Sequence, residues 1–271
     1  MKNMMQQTGI WGITGNWAEI YQACFVPTII APWVSMTLEL VAPRAGERML
    51  DVACGTGAVT RHAAKLVGPS GYVAGIDLSP DALAVARAMR RLPASASIEW
   101  HETPADKLPF DRGDFDIVTC QFGLMFFSDR VAALKEMHRV LAKGGRIAVM
   151  TWGALDKCAG NAAVARAWRE YIGNNQADQF NPPHSLCDPD EVKSLLCSAG
   201  FTHIEAGIHP GHARFVSSKA LVRSYGALVA LNVDAATRDA IFKTVARLMK
   251  PYMGPRGLRY PVEAVMARAQ R

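Results

Sequence analysis

Two carboxylates and a pair of glycines stand where the strands of a parallel sheet could bind a ligand. The segment LDVACGTG carries Asp51 at the end of an apolar run, and Gly55 and Gly57 follow in the turn. Glycines permit backbone conformations that bring a loop close to a ligand. A carboxylate before such a loop would repel a pyrophosphate and hold a cationic ammonium. Asp77 ends a second apolar run, where a carboxylate can accept hydrogen bonds from both hydroxyls of a ribose.

The glycine spacing separates this loop from a dinucleotide site. That site would show the pattern G-x-G-x-x-G, but Thr60 occupies the third position here and Asp51 precedes the loop. A nicotinamide-dependent oxidoreductase therefore stays only a remote alternative. S-adenosylmethionine carries an ammonium and a ribose but no phosphate, and the residues favour it as the cofactor.

The elements that position these residues alternate between strands and helices in the first half of the chain. The pattern predicts strands over 48–52, 72–77, 98–102, 115–120 and 146–152, with helices over 58–67, about 79–91, and 129–141. Short connections between them indicate βαβ units, and hence a parallel sheet with helices on both faces. Ligands of such sheets bind outside the carboxyl ends of the strands.

The second half is less regular, and one N-terminal segment is strongly apolar. Helices are predicted over 162–171, 188–199 and 218–250, and strands over 201–208 and 260–268. The apolar segment 24–42 is interrupted by Pro27, Pro32 and Glu39, so it is interpreted as one or two core helices rather than a membrane span.

Composition and charge limit the class of protein. The chain has 271 residues, half of them hydrophobic, which is typical of a globular protein. Its N-terminus has no long apolar run, so no signal peptide is expected. Six cysteines without a C-x-x-C pair favour reduced thiols in a cytosolic protein over a metal site.

Positive charge is concentrated in the second half. The net charge of +6 divides into +1 up to Trp152, from 15 basic and 14 acidic residues, and +5 after it, from 15 and 10. Such an excess could attract an anionic substrate, nucleic acid or a lipid surface. A solvated basic face is the preferred interpretation.

Four motifs resemble those of class I S-adenosylmethionine-dependent methyltransferases. In order over residues 48–152 they are LDVACGTG, GIDLSPDALAVAR, KLPFDRGDFDIVTCQFGLMFF and LKEMHRVLAKGGRIAVMTW. The chain is most similar to the small-molecule group that includes the ubiquinone/menaquinone-biosynthesis C-methyltransferases. The resemblance implies an α/β Rossmann-like methyltransferase fold: a seven-stranded, mostly parallel sheet with an antiparallel last strand, helices on both faces and a helical cap. Residues 1–45 would form the cap, 46–152 the cofactor-binding half and 153–271 the substrate-side half, together one integrated domain.

The resemblance also implies which residues contact S-adenosylmethionine. The expected contacts are Asp51, Ala53, Gly55 and Gly57 around the methionine moiety, Asp77 at the ribose, Leu78 and the backbone N–H of Ala105 at the adenine, and Gln121 near the methyl group. Pro104 departs from the family pattern, because an acid there would accept from the adenine amino group. Asp106, Glu102 or a water would have to replace it.

The expected activity is methyl transfer to a small, largely apolar organic acceptor, on carbon or oxygen. An alternative is an enzyme on the same scaffold that uses the bound cofactor for another reaction. The catalytic residue stays open, because a sulfonium methyl group is already activated and only a weakly acidic acceptor needs a base. His184 is then the first choice, in a helical cover made by residues 1–45, 153–187 and 218–253.

The expected partners are few. No metal is expected, and no nucleic acid, because the sequence after the fourth strand is CQFG rather than an N-P-P-Y-like tetrapeptide. We expect a cytoplasmic protein without stable membrane insertion, for which a homodimer is allowed. The identity of the acceptor stays open.

Overall fold

The computed structural model describes residues 11–90 and 92–271, which build one twisted sheet with helices around it. The strands are β1 Arg48–Val52, β2 Tyr72–Asp77, β3 Ser97–Glu102, β4 Phe115–Gln121, β5 Leu141–Trp152, β6 Thr202–Phe215, β7 Met253–Gly254 and β8 Gly257–Gln270. Their order is β3-β2-β1-β4-β5-β8-β6, and the short β7 pairs with β8. Strands β1 to β5 are parallel and β8 is antiparallel to β5. The predicted Rossmann-like sheet is confirmed, with β7 as an additional strand.

The helices alternate with the strands in the first half and cluster in the second. They are α1 Trp17–Val41, α2 Ala58–Val67, α3 Pro80–Ala88, α4 Arg130–Val140, α5 Ala159–Tyr171, α6 Asn174–Ala177, α7 Pro189–Ser198, α8 Ser218–Leu228 and α9 Ala235–Met249. Side-chain oxygens cap several N-termini, as at α3, where Ser79 accepts from the backbone of Ala82 at 3.2 Å.

The chain divides into two compact units. The first comprises residues up to Pro32 with Ala154–Pro182 and Pro210–Glu263, and the second comprises Trp33–Gly153, Pro183–His209 and Ala264–Arg271. These boundaries differ from the expected divisions at 45/46 and 152/153. That the parts act as one integrated domain stays a prediction.

The second unit packs the C-terminal half of α1 against α2 and the sheet. Its fully buried apolar core includes Val34, Leu38, Val41, Met49, Val59, Ala63, Ala64, Val67, Val73, Ile117 and Ala148. Arg146 of β5 holds the end of α1, because its guanidinium donates to the carbonyls of Val41 and Ala42 and to the carboxylate of Glu47.

Aromatic side chains fill the interior of the first unit. The ring of Tyr225 lies 4.9 Å from Phe25 and 5.1 Å from Phe180, and the Tyr225 hydroxyl donates to Asn161 at 2.7 Å. Tyr260 passes so close to Gly160 that a Cβ on that glycine would collide with the ring. The first unit, which includes the N-terminal part of α1, therefore has an aromatic core of its own.

Helix α1 differs from the expectation that prolines would interrupt the apolar segment. It runs continuously through Pro27 and Pro32, and it is π-helical over Tyr21–Ile30. A proline lacks an N–H and crowds the preceding turn of an α-helix, and the wider π turn accommodates it. By length and composition this helix could cross a membrane, but half of its most apolar stretch is buried inside the protein, as in core helices.

Several boundaries differ from the sequence prediction. Strand β5 begins at Leu141 rather than Arg146, because Leu141 is extended, buried and paired with Phe115 across a register shift. The predicted helix over 218–250 is two helices, and β6 and β8 extend beyond their predicted ends. Helix α3 ends at Ala88. Residue Arg91, the predicted end, and residues 1–10 of the predicted cap lie outside the described residues.

Candidate functional site

The site lies in the second unit, at the carboxyl ends of the central strands. Strand β1 stands between β2 and β4, and Asp51 is in register with Gly75 on one side and Thr119 on the other. The chain order reverses between β1 and β4, which is the switch point where ligands of open α/β sheets bind.

Asp51 is buried and holds two hydroxyl groups. Only 1% of the residue is exposed, and its carboxylate accepts from Thr60 Oγ1 at 2.6 Å and from Thr119 Oγ1 at 2.9 Å. Burial raises the pKa of Asp51 to about 6, against the opposing effect of both hydrogen bonds. Protonation therefore stabilises the folded protein: this contribution is complete below about pH 3.8 and is lost as the pH rises through about 6.

Thr60 and Thr119 are site residues that sequence reasoning missed. Thr60 was seen only as the residue that breaks the dinucleotide pattern, yet its hydroxyl is the closest partner of Asp51. Pairing the first strand with the fourth in register would have placed Thr119 beside Asp51. Thr60 and Thr119 could therefore be recognised as partners of Asp51 only once the neighbouring strands were known.

Three residues with left-handed backbone conformations shape the loop between β1 and α2. Ala53 has φ +56°, Gly55 +54° and Gly57 +79°. A Cβ on Gly55 would meet no atom within 4 Å, so the space beside this residue is open, whereas a Cβ on Gly57 would collide with the ring of Trp100. Gly57 therefore has a packing role in addition to the ligand contact predicted for it.

Asp77 connects this loop to the loop after β2. One carboxylate oxygen accepts from the backbone of Gly55 at 2.8 Å, and the other accepts from the backbone of Ser79 at 2.9 Å. Each carboxylate oxygen has a second lone pair, so the group keeps capacity for ribose hydroxyls. The next residue, Leu78, is 67% exposed, which is unusual for a leucine.

The predicted adenine end lies close to Asp77. Thr103 donates its backbone N–H to the carbonyl of Asp77 at 3.2 Å, and Ala105 is buried two residues later. Glu102 is the register partner of Asp77, and it is exposed, as is Asp106. Glu102 therefore lies beside Asp77 on the neighbouring strand, and its role as the replacement for the acid missing at Pro104 stays a prediction.

Gln121 and an aromatic cluster, Trp33, Phe122 and Trp152, stand at the ends of β4 and β5. The Gln121 side chain accepts from Thr37 Oγ1 at 2.5 Å. Phe122, at φ +56°, stacks on Trp152 with ring centroids 3.7 Å apart, and Trp33 meets both rings edge-on at 6.2 Å. A buried apolar cluster therefore borders Gln121, the residue predicted to lie near the methyl group.

His184 is buried beside the end of β5. Its Nδ1 lies 2.6 Å from the carbonyl oxygen of Gly153, and 7% of the residue is exposed. Burial lowers the pKa of His184, against a smaller opposing effect of the Gly153 hydrogen bond, so the ring is neutral near pH 7. A carbonyl only accepts, so Nδ1 carries the proton in the neutral ring.

Neither a reactive thiol nor a metal centre is found at the loop among the described residues. Burial, with the charges of Asp51 and Asp77, raises the pKa of the Cys54 thiol, which keeps it un-ionised. Within residues 11–90 and 92–271, no group of three or more His, Cys, Asp or Glu side chains could hold a metal ion.

Comparisons with known proteins converge on one family. The model of the ubiE/COQ5 methyltransferase family matches residues 27–175, more than half of the chain. The ubiquinone/menaquinone biosynthesis C-methyltransferase of Pseudomonas savastanoi is 41% identical over 187 residues, which cover 64% of this chain and 72% of that protein. The demethylmenaquinone methyltransferase of Lactococcus lactis is 40% identical over 115 residues, covering 42% and 46%.

A solved structure shares the fold at low identity. The phosphoethanolamine N-methyltransferase 2 of Haemonchus contortus, solved with S-adenosylmethionine, superposes with a TM-score of 0.59 at 17% identity, over 94% of this chain and 56% of that one.

Asp51 should make cofactor affinity depend on pH. If its ionised form favours the ligand ammonium, affinity for S-adenosylhomocysteine should fall about tenfold between about pH 7 and about pH 5, because the group takes up a proton near pH 6. Asp51→Asn keeps the shape and should give weak affinity without this pH dependence. Calorimetric titrations at several pH values measure both, and identical pH profiles for the two proteins would contradict the role of Asp51.

Asp77→Ala should weaken S-adenosylhomocysteine binding while the protein stays folded. Losing two hydrogen bonds to a charged acceptor costs about 2–4 kcal/mol. Asp81→Ala removes an exposed carboxylate from the first turn of α3, four residues after Asp77, and is the matched control, which should bind normally. Calorimetry gives the affinities and thermal melting checks the fold. An unchanged dissociation constant for Asp77→Ala would leave this residue only its turn hydrogen bonds.

Proposed function

The chain belongs to the ubiE/COQ5 methyltransferase family and is an S-adenosylmethionine-dependent methyltransferase, and we propose that it methylates a ring carbon of a reduced, quinone-type acceptor with an apolar substituent. The observation that carries this proposal is the match to curated relatives named as quinone-biosynthesis C-methyltransferases over 72% of their length. A quinone ring is electron-poor, so its reduced dihydroxy form is the nucleophile that methyl transfer requires.

The residues of the loop fit S-adenosylmethionine. The space beside Gly55 is open, Leu78 offers an exposed apolar surface, and Asp77 keeps lone pairs for a ribose. The Thr56 hydroxyl is buried without a hydrogen-bond partner among the described residues, and a polar ligand would supply one. Asp51 adds a negative charge behind the loop. These side chains would hold the cofactor, which supplies a methyl group already activated by the sulfonium charge.

The chain's own task is to align the acceptor and exclude water. Methyl transfer needs the acceptor atom in line with the methyl group, and holding it there removes much of the entropic barrier. Trp33, Phe122 and Trp152 form a buried aromatic cluster at the ends of β4 and β5, which gives the neighbourhood of Gln121 an apolar character that suits an apolar acceptor. We place the acceptor ring against this cluster, with Gln121 beside it.

His184 suits the role of the base. A dihydroxy ring becomes a strong carbon nucleophile when a hydroxyl proton leaves, and a neutral imidazole can take that proton on Nε2. The Gly153 carbonyl fixes the tautomer that this step requires. The ring carbon would take the methyl group as the carbon–sulfur bond breaks and S-adenosylhomocysteine leaves. The ketone-form ring would then lose the proton of that carbon to water while His184 returns its proton to the ring oxygen, which restores the aromatic dihydroxy ring.

Other expectations stay predictions. They are the helical cover over the acceptor, the cytoplasmic location, the homodimer, and the absence of a nucleic-acid partner and of stable membrane insertion. The C-methyltransferase relatives favour carbon over oxygen as the methylated atom.

Methyl transfer to a chemically reduced naphthoquinone tests the proposal. With S-adenosylmethionine carrying a labelled methyl group, an acceptor with a free ring position should gain one label on carbon, located by mass spectrometry and NMR. The same acceptor kept oxidised should give no product. Label on nitrogen-bearing or unrelated metabolites of a cell extract, with none on the reduced acceptor, would contradict the quinone-type proposal.

His184→Ala should lower kcat in that assay by on the order of 100-fold or more, with S-adenosylhomocysteine affinity unchanged. The matched control is His62→Ala, because His62 also places Nδ1 near a backbone carbonyl, at 2.8 Å from Ala58, but is exposed. The pH profile, measured at saturating S-adenosylmethionine so that the effect of Asp51 on affinity does not contribute, separates chemistry from packing. The wild-type kcat should fall as His184 is protonated, and the variant should not show this fall. Unchanged turnover would return His184 to a structural role.

A further inference from the structure

A cleft in the first unit gathers cations that the methyl-transfer site does not use. The arginine cleft, as we call it, is a cavity of about 310 Å³ at the β7–β8 hairpin and the end of β6. Its lining includes Arg214, Arg256, Arg259, Tyr252 and Met253, and it contains no acidic residue. Part of the positive excess in the second half of the chain is therefore concentrated at one place.

The three guanidiniums are exposed and not neutralised by neighbours. Within residues 11–90 and 92–271, none of Arg214, Arg256 and Arg259 forms an ion pair, whereas six other arginines do. The pKa of His212 is lowered, first by burial and then by the positive charges of Arg259 and Arg214. A cluster of like charges without counter-ions is a binding surface for anions.

Exposed apolar side chains border the cleft. The two-residue turn between Gly254 and Gly257 joins β7 to β8, and Gly257 has φ +92°. A Cβ on Gly257 would lie 2.7 Å from the carbonyl oxygen of Phe215 and 2.9 Å from that of Val216, so the hairpin is held against the end of β6. Val216 is 83% exposed and Met253 45% exposed beside it. Both are large apolar residues in contact with water.

We propose that the arginine cleft docks the protein on an anionic membrane surface. The guanidiniums would bind lipid phosphate groups, for which their planar forks are suited. Val216 and Met253 would enter the boundary between headgroups and acyl chains. The choice of a membrane over a free anion rests on the proposed function, because an acceptor with an apolar substituent is held in the bilayer. The exposed apolar side chains beside the guanidiniums also favour a membrane over a free anion.

Vesicle binding tests this docking directly. The full-length protein should sediment with vesicles of phosphatidylcholine and phosphatidylglycerol, and not with phosphatidylcholine alone. Because each basic residue near an anionic surface contributes about fivefold to affinity, the variant R214Q/R256Q/R259Q should bind on the order of 100-fold more weakly. The charge-matched control K65Q/K107Q/K143Q removes three exposed lysines elsewhere and should bind as the wild type.

Two further measurements keep the proposal falsifiable. V216S/M253S should weaken vesicle binding by on the order of tenfold at constant charge, through lost apolar burial. Unchanged melting and S-adenosylhomocysteine affinity would show that all variants are folded. Equal losses in the two triple variants would overturn the proposal, as would tight binding of inorganic phosphate or of an oligonucleotide without vesicle binding. None of these measurements needs the acceptor, so failure of the quinone-type proposal would be seen separately in the methylation assay.

Discussion

The buried carboxylate of Asp51 is the constraint on which the site depends. A charge removed from water costs several kcal/mol unless it is well bonded, and here hydroxyls from α2 and β4 both donate to it. The same bonds fix the end of β1 to its neighbouring strand and to the following helix. A second carboxylate, Asp77, then holds the loop from the other side through the backbone of Gly55. Two acids therefore set the shape of the loop between β1 and α2.

The same arrangement gives the loop a negative environment. Asp51 and Asp77 lie on adjacent strands, and both charges contribute to the raised pKa of the intervening Cys54. An anionic pyrophosphate is disfavoured there and a cationic ligand is favoured.

The sequence predicted the first half of the fold well because its signals were local. Strands β1 and β2 and helix α2 were predicted to the residue, from apolar runs that end at Asp51 and Asp77 and from a glycine turn. Helix α1 was harder, because a π-helix accommodates prolines that normally end an α-helix. Strand β6 extends into GIHPGHARF, where polar residues and glycines hide the pattern and pairing with β8 decides the structure.

The sequence predicted the acids and glycines of the candidate site, but it did not predict that Thr60 and Thr119 bind Asp51. Asp51 and Asp77 could be found because strand ends are visible in one sequence. The role of Thr119 depends on which strands are neighbours, and the cluster of Trp33, Phe122 and Trp152 brings together residues far apart in the chain. Register and tertiary packing, rather than local pattern, carry that information.

The central claim is that these two acids and the glycine loop bind S-adenosylmethionine and not a dinucleotide. Calorimetric titration of the purified protein with S-adenosylhomocysteine and, separately, with NAD tests it most directly. The account predicts saturable binding of S-adenosylhomocysteine and no heat of binding with NAD. Binding of NAD with none of S-adenosylhomocysteine would contradict it.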